Sequence, residues 1–263
     1  MNQRDIVGID IGTSNIYAAA GRVNYDNELE LIAKIQKSSR GMEKGRIISI
    51  TEASKALQEV FKELDLLVGE SITDCYITIP SGICTLLQVN STLELTSKEG
   101  RVTREHIKKL KERAENHGSL QQMKLVQFLK LVYKLDGRYI SEEPVGCTGR
   151  NLELQGLVLS IDYKTYMEYA KLFGGLNRNI KGMRASSESA AELLIDEQDK
   201  QRGVALVDIG SQKTDVSVYY EGYLQCTEHI PLGGDNITKD LAYCLEIPLE
   251  RAEKLKRNYD YNQ

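Results

Sequence analysis

Short apolar runs bounded by Gly, Pro, Asn and Asp alternate along this chain with segments of helical period, a pattern that favours an α/β or α+β architecture. The first runs predict strands over residues 6–11 and 16–20. The four residues between them, Gly12-Thr13-Ser14-Asn15, are too few for a crossover helix, so the two strands form an antiparallel hairpin. That excludes a Rossmann or P-loop opening. Over 51–64, Ala53, Leu57, Val60 and Leu64 share one face, which predicts an amphipathic core-facing helix with Thr51 as its N-cap. A third strand over 75–80 ends in Pro80-Ser81-Gly82.

Beyond that point the pattern changes. Strands over 86–95, 124–132 and 152–161 surround a helix over 103–116, which reads as a small β-α-β-β insert. Its helix turns Ile107, Leu110 and Ala114 inward and Arg104, Lys108, Lys111 and Arg113 outward. The plain reading of the basic face is solvation, and the functional one is a contact surface for a partner. A helix over 163–173 and the polar stretch Ala185-Ser186-Ser187-Glu188-Ser189 follow, then strands over 204–209, 216–219 and 223–230 and a helix over 235–245.

An internal repeat carries the chemistry. VGIDIGTSNI at 7–16 returns as ALVDIGSQKT at 205–214, each copy a strand, an Asp, an Ile, a Gly and a small hydroxyl residue in a tight turn. The wide separation predicts two similar half-domains facing each other across a cleft. Backbone amides in Gly12, Thr13, Ser14 and Asn15, and in Gly210, Ser211, Gln212 and Lys213, suit phosphate oxygens, and Thr13 and Thr214 add hydroxyls. Asp10 and Asp208 suit a hydrated magnesium, which keeps most of its own waters. Gly233 and Gly234, leading through Asp235 and Asn236 into a helix, could present that helix's positive end. One such turn alone reads better as an Asx-stabilised hairpin; two with the glycine pair favour phosphate. Glu188 is a candidate for orienting an attacking water only by its place before the second turn, and a helix N-terminal carboxylate is its plainer reading. Asp215 reads as a partly exposed strand residue and Lys213 as an exposed turn residue. His106, His117 and His229 read as isolated.

Charge and cysteine content narrow the class. A net charge of −4, with both signs mixed along the chain, argues against bulk attraction to nucleic acid or membrane. Five scattered cysteines without a C-x-x-C pair argue against a disulfide framework or zinc site and fit a reducing cytosol. Neither a signal core nor an apolar run of membrane-spanning length is present, so a soluble, cytoplasmic chain is expected.

These residues resemble the actin, hexokinase and heat-shock-chaperone ATPase superfamily, with VGIDIGTSNI similar to its first phosphate element and LVDIGSQKTDVSV to its second. Within it the chain resembles the FtsA family of bacterial actin-like cell-division proteins. That likeness extends through SSRGMEKGRI (38–47), the insert after ITIPSG (77–82), EEPVGCTGRNLEL (142–154) and IPLGGDNITKDLAYCL (230–245). It implies actin-like, ribonuclease H-like half-domains: a first over 1–82 with 162–203, an inserted interaction subdomain over 83–161, and an incomplete second half from 204 to 263. It further implies ATP and magnesium as ligands, polymerisation, the tubulin-like protein FtsZ and other division proteins as partners, and self-association through the insert. Neither nucleic acid nor a membrane segment in this chain is implied. The resemblance places the chain at the division site, tied to the membrane only by the family's C-terminal helix, which it puts outside this chain. Hydrolysis would be of actin type at most. An interaction module with a vestigial cleft, or a small-molecule kinase of the superfamily, are the alternatives. Two departures stand out: Ser211, Gln212 and Lys213 replace family glycines, and no glycine follows Gly234, so the adenosine element is missing and weak ATP binding is expected.

Overall fold

A computed structural model describes residues 5–24, 28–96, 100–116, 118–140 and 143–259. It divides into two compact units, Met1–Ile83 with Glu168–Gln263, and Cys84–Met167. The first unit opens with β1 (Asp5–Ile11) and β2 (Asn15–Val23), paired antiparallel as the short turn requires. Val7, Ile9 and Ile11 alternate inward with Ile16, Ala18 and Ala20 opposite them. β3 (Leu29–Ser38) extends the meander and was not among the strands read from the sequence; Leu29, Leu31, Ala33 and Ile35 alternate along it, with a register shift opposite Ala20 and Gly21. Two-residue strands β4 (Met42–Glu43) and β5 (Arg46–Ile47) follow, joined by Lys44 and Gly45, both with positive φ, as the favoured two-residue hairpin turn demands.

Helix α1 (Ile50–Val68) starts earlier than expected. Its cap is Ser49, whose Oγ accepts from the Glu52 amide at 3.3 Å, and not Thr51, which lies inside the first turn. Its buried stripe is Ala53, Ala56, Leu57, Val60, Phe61 and Leu64. β6 (Asp74–Ile79) then pairs parallel with β1, and a 3-10 turn at Ser81–Ile83 leads out of the unit.

The second unit consists of β7 (Thr85–Glu94), α2 (Arg104–Glu115), β8 (Met123–Leu135), β9 (Arg138–Tyr139) and β10 (Asn151–Asp162). Its sheet runs β7-β10-β8-β9, and the unit has its own core in which Leu110 and Ala114 of α2 meet Val89, Val102, Tyr133, Leu152, Leu154 and Val158. Thr103 caps α2 by accepting from the His106 amide, while His106 Nδ1 accepts from the Thr103 amide, both at 3.3 Å. His106 thus has a capping part; His117 lies outside the described residues. The basic face is less open than its spacing suggests. Arg104, Lys108 and Arg113 are exposed, Arg113 donating to the Thr92 carbonyl, whereas the half-buried Lys111 sits 5.9 Å from the Phe128 ring centre.

The chain returns to the first unit within α3 (Tyr163–Gly174). β11 (Asn179–Ala185) pairs parallel with β6, completing a five-stranded sheet of order β11-β6-β1-β2-β3. Three antiparallel strands with two parallel ones added beside the first is the ribonuclease H-like arrangement. The polar stretch after it forms α4 (Ser186–Leu194), its serines drawn inward because the fully buried Ser81 hydroxyl oxygen accepts from the Ser187 amide at 2.9 Å. After α5 (Glu197–Arg202), strands β12 (Val204–Ile209), β13 (Thr214–Tyr220) and β14 (Tyr223–Ile230) form a second antiparallel meander. Helices α6 (Gly234–Cys244) and α7 (Leu249–Arg257) close the chain's described part.

Leu110 is completely buried in the core of the second unit. Leu110→Ala should lower that unit's stability by about 2–5 kcal/mol. Native-state hydrogen exchange should register the loss in α2, β8 and β10 and leave the amides of β1 and β6 protected; an equal loss in both sheets would mean that the units unfold as one block.

Candidate functional site

The two sequence repeats fold alike. In the first, Ile11 pairs with Ile16 and the Gly12 amide donates to the Asn15 carbonyl at 2.9 Å. In the second, Ile209 pairs with Thr214 and the Gly210 amide donates to the Lys213 carbonyl at 2.8 Å. The copies therefore correspond residue by residue at a constant offset of 198 (208 minus 10). Both turns line one cleft of about 900 Å³ in the first unit. Asp10, Gly12, Thr13, Ser14 and Asn15 line it from the first turn, and Asp208, Gly210, Ser211 and Lys213 from the second.

A bridge ties the turns together. At the tip of the β4–β5 hairpin the Gly45 amide donates to Thr13 Oγ1 at 3.0 Å and the Lys44 amide to Gln212 Oε1 at 3.2 Å. The sequence marked Lys44 and Gly45 only as part of the segment 38–47 and gave no sign of the bridge, since Lys44 and Gln212 are 168 residues apart.

Asp10 is half-buried and Asp208 is exposed. Burial pushes the Asp10 carboxyl above its usual range and the nearby Asp208 charge adds to this; hydrogen bonding from the Thr78 hydroxyl and the charge of Lys213 pull the other way. The two carboxylates lining one cleft form a hard-oxygen donor set suited to magnesium held through water. Among the described residues no group of three or more His, Cys, Asp or Glu side chains could hold a metal directly.

Other expected residues are placed differently. Gln212, Thr214, Gly233, Asn236 and Glu188 do not line the cleft. The Thr214 hydroxyl donates to the Leu232 carbonyl at 2.9 Å, and Asn236 Oδ1 accepts from the Gly233 amide at 3.0 Å. The first amides of α6 are already committed, Gly234 to the Gly210 carbonyl at 2.9 Å and Asp235 to the Ser211 carbonyl at 2.6 Å. Glycine at 233 permits this approach, since a Cβ there would fall 2.5 Å from the Gly210 oxygen. Glu188, its pKa raised by burial, accepts from the Tyr219 hydroxyl at 2.8 Å.

Three readings need correction. Asp215 is 1% exposed, not a partly exposed strand residue; Lys213 is folded over it as an ion pair, not an exposed turn residue; and His229 is not isolated, its Nδ1 lying 3.2 Å from Asp215 Oδ1. The sequence hides this group because its parts lie on two strands and a turn. Also unforeseen was the α6–α7 wall, where Lys256 Nζ donates to Gly234 O at 3.0 Å and Thr238 Oγ1 at 2.8 Å. Hydrogen bonds from Lys256, Thr238 and Arg257 hold the Glu253 carboxyl down at about 2.

Known proteins share this pattern. The family model described as Cell division protein FtsA matches residues 205–262, and that described as the SHS2 domain inserted in FtsA matches residues 85–160. The chain belongs to the FtsA family. Cell division protein FtsA of Pseudomonas aeruginosa is 27% identical over 254 residues, 97% of this chain and 60% of that protein. FtsA of Bacillus subtilis is 26% identical over 258 residues, 98% and 58% respectively. The chain thus spans about three fifths of the length of these FtsA relatives. The PilM–PilN type IV pilus biogenesis complex superposes with a TM-score of 0.63 at 15% identity, covering 97% of this chain and 69% of that one. The ethanolamine utilization protein EutJ of Carboxydothermus hydrogenoformans gives 0.56 at 15% identity, covering 98% and 63%. The fold is the actin-like α/β fold with an SHS2 unit inserted, as in the FtsA family. No helix among the described residues is long and apolar enough to cross a membrane.

A carboxyl whose folded pKa lies above the unfolded value of 3.8 opposes folding while ionised; the penalty is complete above the folded pKa and fades as pH falls through it toward 3.8. Asp10→Asn, which can still accept from Thr78, should therefore raise the melting temperature at pH 7. The rise should be about 2–4 °C, the response of a chain of this size to about 1 kcal/mol. Calorimetric scans at pH 7 and near pH 4 should show the gain shrinking at the lower pH. A variant that melts earlier at pH 7 would make Asp10 a stabilising residue instead.

Proposed function

We propose that the cleft binds an adenine nucleotide with magnesium, and that occupancy is linked to assembly of this FtsA-family chain with other cell-division proteins at the division site. The observation that carries the reading is the pair of D-I-G turns, alike in register and closing bond, opening on one cleft with Asp10 and Asp208 at their bases. Gly12 to Asn15 with Gly210, Ser211 and Lys213 would surround the phosphates, and Asp10 and Asp208 would hold magnesium through its waters. Magnesium, when bound, supplies the charge that polarises the phosphates. The chain's own contribution is to orient: Thr78 fixes the Asp10 carboxylate, and Lys44 and Gly45 fix the turns relative to each other. Glu188 is engaged by Tyr219, so a water-orienting part would require it to leave that bond.

Titration calorimetry with ATP should find binding at the cleft. That binding should depend on magnesium, and the dependence should vanish in Asp10→Asn and Asp208→Asn. Affinity unchanged by chelation and by both substitutions would overturn the reading.

The inserted unit is the proposed surface for FtsZ, for other division proteins or for a second copy of the chain. Its exposed cations Arg104 and Lys108 can steer an acidic surface, while Lys111 is half-buried near Phe128 and Arg113, also exposed, is engaged by the Thr92 carbonyl. Reversing Arg104 and Lys108 to Glu should weaken association in sedimentation, most at low salt, and leave the circular dichroism spectrum unchanged. Association indifferent to the reversal would remove this face from the contact.

A further inference from the structure

The buried acid Asp215 has no part in the reading above. It is 1% exposed, and a carboxylate so placed is costly unless paired. Both its oxygens have partners, Oδ2 the Lys213 ammonium and Oδ1 the His229 ring at 3.2 Å. Missing side chains make the space. A Cβ at Gly82 would fall 2.8 Å from Asp215 Oδ1 and 2.5 Å from His229 Cβ, and one at Gly45 would fall 3.0 Å from Lys213 Cε. The lysine stem therefore lies over a bare stretch of the β4–β5 hairpin, and its head is tethered to a fixed anion.

Position 213 corresponds to Asn15 in the repeat (213 minus 15 is 198), so only the second turn carries a cation. Lys213 lines the cleft with Asp10 and Asp208, and of the cleft's cations among the described residues it is the one whose charge bears on Asp10. Lys256 and Arg257, farther along, are paired with Glu253. An ammonium has three donors, and the tether removes much of the rotamer freedom that phosphate binding would otherwise cost.

We propose that Asp215 is a positioning residue that holds Lys213 at the phosphate end of the cleft, where Lys213 binds the polyphosphate chain of a nucleoside di- or triphosphate. This rests on the nucleotide reading and adds a cation to the second turn, where side chains stand in place of the family's glycines. The rival account is a purely structural ion pair, in which Lys213 folds back two residues along the chain only to neutralise the buried Asp215.

Calorimetry on the full chain with magnesium-ATP, tripolyphosphate and adenosine separates them. Lys213→Gln should weaken ATP and tripolyphosphate about tenfold or more, and Asp215→Asn about three- to tenfold, with adenosine binding unchanged in both. Each single change strands a buried or largely buried charge, so the double variant Lys213→Gln with Asp215→Asn, a neutral amide pair, is the companion: it should keep the wild-type melting temperature within a few degrees and show the same loss. Wild-type chain that binds tripolyphosphate but neither ATP nor adenosine would remove the nucleotide reading and leave the phosphate site standing. Wild-type chain that binds neither ATP nor tripolyphosphate overturns the proposal. So does a variant that keeps wild-type affinity for both, or a loss shared equally by adenosine.

Discussion

The arrangement depends on where two antiparallel ladders stop. Each hairpin ends its pairing at an Ile and is closed by a glycine amide donating across the turn, Gly12 to Asn15 and Gly210 to Lys213. Because side chains alternate strictly along a strand, this common stopping point puts Asp10 and Asp208 on equivalent faces of equivalent strand ends. A register slip of one residue in either ladder would turn its carboxylate away from the cleft. The chemistry of the site is thus an outcome of main-chain geometry, with the side chains added at positions the ladders dictate.

Around those hairpins the protein uses close approach more than long side chains. Glycine at 233 lets α6 dock against the second turn and commit its first amides to the turn's carbonyls. The tip of the β4–β5 hairpin does the same for both turns at once, through Thr13 and Gln212. The cost sits on the charges: burial and a like-charged neighbour both oppose ionisation of Asp10, and the compensating partners, the Thr78 hydroxyl and Lys213, come from elsewhere in the unit. Sites that gather charge in this way trade stability for binding.

The inserted unit answers to different rules. Its core is complete within Cys84–Met167, centred on α2 and the sheet it covers, so its surface is free of the constraints that shape the cleft. On that surface position in the helix did not decide exposure. Lys111 shares a face with Arg104 and Lys108 by spacing, yet it lies half-buried near the Phe128 ring, while Arg113 stays exposed with its guanidinium donating to the Thr92 carbonyl.

By itself the sequence determined what is local or repeated. The two-fold occurrence of D-I-G, the four-residue gap that forces a hairpin, the amphipathic stripe of α1 and the interruption after Gly82 were all legible, because each reads out in a period, a spacing or a copy. The tertiary structure alone decided what joins distant positions. It placed Ser49 and not Thr51 at the start of α1, wound the serine stretch into α4 over the buried Ser81, and made Asp215, Lys213 and His229 one group. The physical reason is common to these cases: burial and pairing depend on neighbours brought together by β6, β13 and β14, and no local pattern records which residue will lie opposite an acid once the strands are packed.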